Sequence, residues 1–309
     1  MRAQLFEIAH TTVYRYSSPV SVSHNLLRLA PRRLACQYPL SHSVEIDRLP
    51  ATTRIRTDYF GNEVLFATIA ETHHELRITA RSQVAIGPPP LPDPTETPPW
   101  ESVGVLCHSD HSQRVMEAAE FIFASPHIPV SSLYAEYAEP SFTPHRPFLE
   151  AVLDLTARIH RDFVFDPTAT TVATPLDEVL RLRRGVCQDF AHFEIACLRA
   201  LGLPARYVSG YLETLPPPGQ QKLTGVDASH AWIAIFCPGI GWIDVDPTNN
   251  LLPSMQHITV AWGRDYADVC PIRGVVSGGG DAPVMEVAVD VLAQGGIEIK
   301  TSANGIHTG

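Results

Sequence analysis

Three side chains in this sequence can share one piece of chemistry: the thiol of Cys187, the imidazole of His230 and the carboxylate of Asp246. A thiolate attacks carbonyl carbon, an imidazole beside it moves the proton, and a carboxylate fixes the imidazole's tautomer. The residues around Cys187 suit the first of these tasks. Thr174-Pro175-Leu176-Asp177 offers an N-cap, a proline at the first helical position and an early acid, which predicts a short helix through about Leu182, ending near Gly185. Beyond it Phe190, Phe193, Cys197 and Leu201 form one apolar stripe at helical spacing, and Ala191, Ile195 and Leu198 a second. A helix apolar on two sides is a central one, and Cys187 stands at its N-terminus. Unpaired backbone N–H groups and the positive end of the helix dipole favour a thiolate there, and the same N–H groups can hold an oxyanion. On its own the cysteine is equally readable as a small buried hydrophobe, the commoner role of a free thiol.

The histidine and the acid lie on a predicted hairpin. Asp227 to Phe236 reads as a strand, Gly239-Ile240-Gly241 as the turn, and Trp242 to Asn250 as the return. With a period of two, His230 shares a face with Trp232, Ala234 and Phe236, and Trp242, Asp244 and Asp246 share a face on the partner. The start of the first strand then lies beside the end of the second, which brings His230 near Asp246, with Asp244 an equal candidate on spacing alone.

These motifs carry a resemblance. Gly185-Val186-Cys187-Gln188-Asp189-Phe190-Ala191-His192, Ala205 to Tyr211, Ser229-His230-Ala231-Trp232 and Asp246-Pro247-Thr248-Asn249 resemble the core of the bacterial transglutaminase-like superfamily. The likeness covers roughly Arg146 to Asn250, and the stretches Tyr14 to Arg33 and Asp58 to Asn62 resemble the β-domain that precedes the core in many bacterial members. The resemblance implies a catalytic triad at Cys187, His230 and Asp246, with Gln188, Asp189, Trp232, Asn249 and Tyr211 in supporting or substrate-binding roles. It implies acyl transfer on peptide or carboxamide bonds through a thioester, with hydrolysis favoured over cross-linking. The alternatives are a true transglutaminase with an amine acceptor and a non-catalytic peptide-binding module. It also implies a peptide or protein substrate and, as partners, ATP-grasp-like or helical proteins. Animal members use an indole upstream of the cysteine, whereas His160 to Phe165 holds no tryptophan; the Cys187 N–H, with Phe165 shaping the pocket, is left to serve the oxyanion.

The elements that must position these groups follow from the rest of the chain. Residues 1–86 alternate apolar and polar over many short runs, with a Gly61-Asn62 turn, as an antiparallel β-sandwich does. Residues 87–100 are proline-rich and mark a linker, 101–300 read as the catalytic domain, and 301–309 as a flexible tail. Within the second domain Ser112 to Phe123 is helical in pattern, Phe148, Val152, Leu155 and Ile159 step along a longer helix, and Arg206 to Leu212 begins the core sheet. Glu213 to Gly225 reads as a loop, Asp265 to Cys270 as a short helix, and Val284 to Val291 as a late strand completing the core sheet. The fold class expected is α+β, an N-terminal antiparallel β-sandwich followed, as the resemblance implies, by a papain- or transglutaminase-like core in which a central helix packs on an antiparallel sheet.

Composition excludes several other classes. No run of eighteen apolar residues and no leader-like segment occur, which leads us to expect neither a membrane span nor secretion. Six cysteines lie scattered without Cys-x2-Cys spacing, which fits neither a zinc ribbon nor a disulfide framework and points to a reducing cytoplasm. Residues 1–86 hold 10 arginines against 7 acids, so the net charge of −10 is carried by the remainder, and nucleic acid is not expected as a partner. There are 21 arginines and only two lysines, Lys222 and Lys300, a bias that limits self-modification by an enzyme passing acyl groups to amines. Cys187, His192, His230 and Asp246 are all metal-ligand types, yet Asp189-x2-His192 is the only close pair, so no metal or other cofactor is expected. We expect Asp189 and His192 to form a buried hydrogen-bonded pair at the helix end, and Asn249 to buttress Asp246.

Overall fold

A computed structural model describes residues 2–214, 229–302 and 305–308. The chain opens with a 26-residue strand, β1 (Arg2–Leu27), whose alternate residues Phe6, Ile8, His10 and Thr12 turn inward. It is followed by β2 (Gln37–Ile46), β3 (Thr52–Thr57), β4 (Glu63–Ile69) and β5 (His73–Ile86). β5 shows the same period: Leu76, Ile78, Ala80, Ser82 and Val84 are buried while the residues between them are not. β1 is the spine of the sheet, antiparallel to β5 along Gln4–Val20 and to β4 from Ser23 to Leu27.

The connector after β5 contains only a short 3-10 turn at Pro94–Glu96, capped by the Asp93 side chain. Then come α1 (Trp100–Ser109), α2 (Gln113–Ala119), α3 (Ser132–Ala138), α4 (Phe148–Asp162), β6 (Val164–Phe165), α5 (Leu176–Leu182), β7 (Arg184–Gly185) and α6 (Cys187–Ala200). Phe148, Val152, Leu155 and Ile159 of α4 are all fully buried, as their spacing predicts. α6 is buried on every side from Asp189 to Arg199. It packs against a four-stranded antiparallel sheet of β8 (Ala205–Leu212), β9 (Ser229–Cys237), β10 (Gly241–Val245) and β11 (His257–Gly263), ordered β10-β9-β8-β11. Odd-numbered residues of β9, Ile233 and Ile235 among them, join the core around α6, while Trp232 and Ala234 pack on the opposite face with Val208, Trp242 and Trp262. The loop expected over Glu213 to Gly225 falls, from residue 215, outside the described residues.

After α7 (Tyr266–Val269) the chain departs from expectation. β12 (Ile272–Gly278), β13 (Val284–Ser302) and β14 (Gly305–Thr308) belong to the first sheet: β12 and β13 both pair with β1, making it eight-stranded. The strand expected to complete the core sheet at Val284 to Val291 thus lies along Ile8 to Arg15 instead. Edge length is the physical reason, since β1 offers an open edge from Arg2 to Arg15 while β10 spans five residues and β11 seven. Residues 299–302 pair with 305–308, so the strand pattern continues into the expected tail. The first sheet accordingly draws strands from both sides of the proline-rich connector. The α+β arrangement itself, an antiparallel β region followed by a helix-on-sheet core, is what the structure has.

Polar side chains acting as backbone join the two sheets. Gln37 Nε2 donates to the Thr259 carbonyl at 2.7 Å and its Oε1 accepts from the Thr259 N–H at 2.8 Å. Asn62 does the same for Trp262, donating at 2.9 Å and accepting at 3.0 Å. Each buried amide thereby satisfies a strand-edge N–H and carbonyl that neither sheet reaches.

Candidate active site

The helix carrying Cys187 is started by its own sequence. α5 closes on Arg183, a left-handed residue with φ 53°, and β7 pairs with β6 so that Gly185 lies beside Phe165. Val186 then adopts an extended conformation and caps α6. Its N–H donates at 2.8 Å to Asp189 Oδ2, an oxygen that also accepts from Thr170 Oγ1 at 2.6 Å. Burial raises the Asp189 carboxyl, and these two hydrogen bonds oppose the rise. A side chain at Gly185 would meet the Asp189 Cβ at 2.8 Å, which is why the sequence has glycine there. Cys187 and Gln188 remain half-buried at the mouth of the helix, while Asp189 is only 3% exposed.

His230 sits near the start of β9 and Asp246 just past the end of β10, where a bridge to Leu251 folds the chain back. Asp246 is fully buried and every lone-pair direction is used. Oδ1 accepts the backbone N–H groups of Thr248 and Asn249 at 2.9 and 3.2 Å. Oδ2 receives His230 Nε2 at 2.7 Å, Asn249 Nδ2 at 2.8 Å and His257 Nε2 at 3.0 Å. Burial works to raise the Asp246 carboxyl, but the bonds from His230, His257 and Asn249, with the charge of His230, hold it well below the usual carboxylate range.

With Nε2 of His230 committed to Asp246, Nδ1 is the nitrogen left for the thiol. Burial pulls the His230 imidazolium down, yet hydrogen bonds with Asp246 and with Cys187, and the charges of both, raise it to about 10. Trp232, fully buried, stacks on the His230 ring at 6.0 Å and 30°, and meets His257 edge-on at 5.2 Å. The arrangement is a nucleophile, a proton carrier and an orienter in that order, with the imidazole clamped on one face by an indole.

The other expected residues divide. Asn249 does buttress Asp246, and it also reaches His230 Nε2 at 3.3 Å. Asp244, open as an alternative on spacing, does not bond His230; the charge that acts on it most is that of Arg206. Tyr211 is not at the site: its hydroxyl bonds His10 Nδ1 of β1 at 3.0 Å, because an odd position on β8 faces away from His230. Asp189 and His192 are both buried but do not pair with each other. His192 Nε2 accepts the Tyr266 N–H at 3.1 Å, since three residues along a helix turn the two side chains toward different neighbours. Phe165 is 55% exposed on β6 beside Gly185, two residues ahead of the thiol.

Sequence reasoning missed His257. Its signal was a histidine opening a largely apolar strand beyond Asp-Pro-Thr, much as His230 stands second on β9. The ligand atoms of His230, Asp246 and His257 lie within 4.8 Å of one another. Both imidazoles face one carboxylate oxygen at hydrogen-bond distance, so each Nε2 carries a proton and is a donor here rather than a ligand.

Comparison with known proteins agrees with this geometry. Residues 136–247 match the transglutaminase-like superfamily, and residues 6–85 the bacterial transglutaminase-like N-terminal region. The chain is a member of the bacterial transglutaminase-like superfamily. It is 40% identical over 300 residues to an uncharacterized protein of Mycobacterium tuberculosis, covering 93% of this chain and 92% of that one. Over a shorter stretch of 107 residues, 32% of this chain and 16% of the relative, it is 35% identical to a Pseudomonas aeruginosa protein-glutamine gamma-glutamyltransferase. A solved structure of a candidate cysteine protease from Cytophaga hutchinsonii superposes with TM-score 0.77 over 96% of this chain and 93% of that one, at 22% identity, and so shares the fold. The family is one of cysteine-dependent enzymes, which accords with a thiol, an imidazole and a carboxylate in one site.

Proposed function

We propose that this protein is a Cys-His-Asp acyl-transfer enzyme that opens peptide or carboxamide bonds, with water as the favoured acceptor. The observation that carries the reading is His230, bonded through Nε2 to a buried carboxylate and acting with Cys187 on its other side. The Cys187 sulfur attacks the carbonyl carbon, and its oxyanion is held by free N–H groups of the first turn of α6. As the C–N bond breaks, the His230 imidazolium gives its proton to the leaving amine, and a thioester remains. The now neutral His230 takes a proton from water, whose oxygen displaces the sulfur; the acid leaves and the thiolate is restored. Asp246 keeps Nε2 protonated throughout.

An amine in place of water makes the same enzyme a transglutaminase, the reading favoured by the likeness to the Pseudomonas aeruginosa enzyme over 107 residues. A merely peptide-binding module has no use for the clamped imidazole. We also propose that it works in the cytoplasm, a reading supported by the scattered spacing of its six cysteines.

Iodoacetamide near neutral pH tests the reading. We expect one cysteine, Cys187, to alkylate well ahead of the other five and to slow in His230→Ala. Mass spectrometry after exposure to a peptide amide library should then trap an acyl adduct on Cys187, and six equally slow thiols with no adduct would sink the proposal. Adding a primary amine reports whether the acyl group passes to nitrogen or to water.

A further inference from the structure

The face of the core sheet turned away from α6 holds a second group of charges, on the far side of Trp232 from His230. Arg206 of β8 is 8% exposed, and its Nε has no hydrogen-bond partner among the described residues. Its guanidinium is flanked by indoles, 3.7 Å from the Trp262 ring centroid and 4.1 Å from that of Trp242. Arg32 lies 3.5 Å from the same Trp262 ring. Asp244 acts on Arg206 by charge alone, without a hydrogen bond; Arg32 donates to Asn62 Oδ1 and to the Phe60 carbonyl, and Asp58, whose charge acts on Arg32, is bonded to Arg28 at 3.0 Å. Three guanidiniums, those of Arg28, Arg32 and Arg206, therefore stand against two carboxylates, those of Asp58 and Asp244. A buried cation left in that state is costly unless something pairs with it.

Beside Arg206 is a cavity of about 400 Å³, large enough for a small organic molecule. Its walls are mainly apolar, with Leu34 and Cys36 from the β1–β2 connection, Pro90 and Leu91 from the proline-rich connector, and Ile240 from the core; Arg206 and Asp244 are the charged residues that line it. We propose that this cavity binds a monocarboxylate with an apolar body, its carboxylate taken by the Arg206 guanidinium and its body by the connector and the strand face. A planar, rigid, bidentate donor suits a carboxylate. One uncompensated positive charge matches a monoanion and not a phosphate dianion. Such a group belongs either to a free small acid or to the C-terminus of a peptide.

Cys36, half-buried in the cavity wall, gives a direct readout. The full-length protein is treated with methyl methanethiosulfonate, and modification of Cys36 is followed by mass spectrometry with increasing 3-phenylpropionate or Ala-Ala-Phe, each compared with its carboxamide. The acids should protect Cys36 saturably and the amides at least tenfold less well. Protection by 3-phenylpropionate alone assigns the site to small acids, and by the tripeptide alone to chain ends. Arg206→Lys should weaken protection tenfold or more. Should that variant not fold, Ile240→Asp, at a rim position 46% exposed, places a repelling charge at the mouth and should weaken it similarly. Cys187→Ala should leave protection unchanged. Equal protection by acids and amides, no protection up to 10 mM (roughly the weakest affinity a built site would show), or protection unaffected by both charge variants would overturn the assignment.

Discussion

His257 Nε2 lies 3.0 Å from Asp246 Oδ2, on the same oxygen that takes His230 Nε2 at 2.7 Å. The carboxylate is thus held from two sides, and its orientation toward His230 depends on a residue that never meets the thiol. His257→Phe should lower kcat about tenfold with little change in KM, the range typical of a lost orienting partner. Equal kcat in the variant and the parent would show that Asn249 and the backbone suffice.

Removing Asp246 itself is a larger change. Asp246→Asn keeps the shape but presents an amide to His230, and kcat should fall by about 10² to 10⁴. Circular dichroism should show the fold retained, because Thr248 and Asn249 can still donate to the remaining carbonyl oxygen.

The pH profile follows from the same pair. His230, raised to about 10, stays an imidazolium at neutrality, and activity should hold until it loses its proton near that value. Asp246→Asn removes the strongest of the interactions behind the rise, so the alkaline limb of kcat/KM should move to lower pH. An unchanged limb would mean that the limb reports some other group.

Glu194, fully buried in α6, should make stability fall as pH rises from about 4.5 to about 8. Burial, with a smaller push from the Asp246 charge, raises its carboxyl to about 8 against the hydrogen bond from Thr156 Oγ1 at 2.7 Å. A folded value above the unfolded one stabilises the protein at low pH and loses that contribution as pH climbs through about 8. Thermal melts between pH 6 and 9 should therefore show a loss of about 2 to 3 kcal/mol from this group, and Glu194→Gln should flatten that slope. His230 contributes in the same direction nearer 10, so some slope should persist in the variant.

Tyr211 should matter for stability and not for turnover. Tyr211→Phe leaves the buried His10 Nδ1 unpaired, at a cost of about 1 to 3 kcal/mol. Alkylation of Cys187 should proceed as in the parent.

Much of the site could be read from residue types. The cap ahead of Cys187, the two apolar stripes of α6 and the His230 hairpin are local patterns, and local patterns survive folding. What could not be read depends on contacts between distant segments. Asp244 and Asp246 are indistinguishable by alternation; only the bridge from Asp246 to Leu251, which turns the chain back past β10, sets one of them against His230. His257 reaches the site because β11 pairs with β8 on the far side from β10, an order the sequence does not state. Tyr211 looked like a site residue because it shares a motif with Arg206, but alternation along β8 sends the two to opposite faces. The strands after residue 272 were legible as strands and not as partners of β1, since period two names a face and never a neighbour.

That last pairing has a consequence for how the molecule is made. β1 waits for β13 before its second edge is covered, and some 270 residues separate Arg15 from Val284, its partner. Until β13 has been translated, the nascent protein carries an unmatched ribbon of hydrogen-bonding groups, the kind of surface on which growing chains stick to one another. Closing so wide a loop is slow. A ribosome stalled before residue 284 should release a product that aggregates, even though every residue of the thiol site has already been translated.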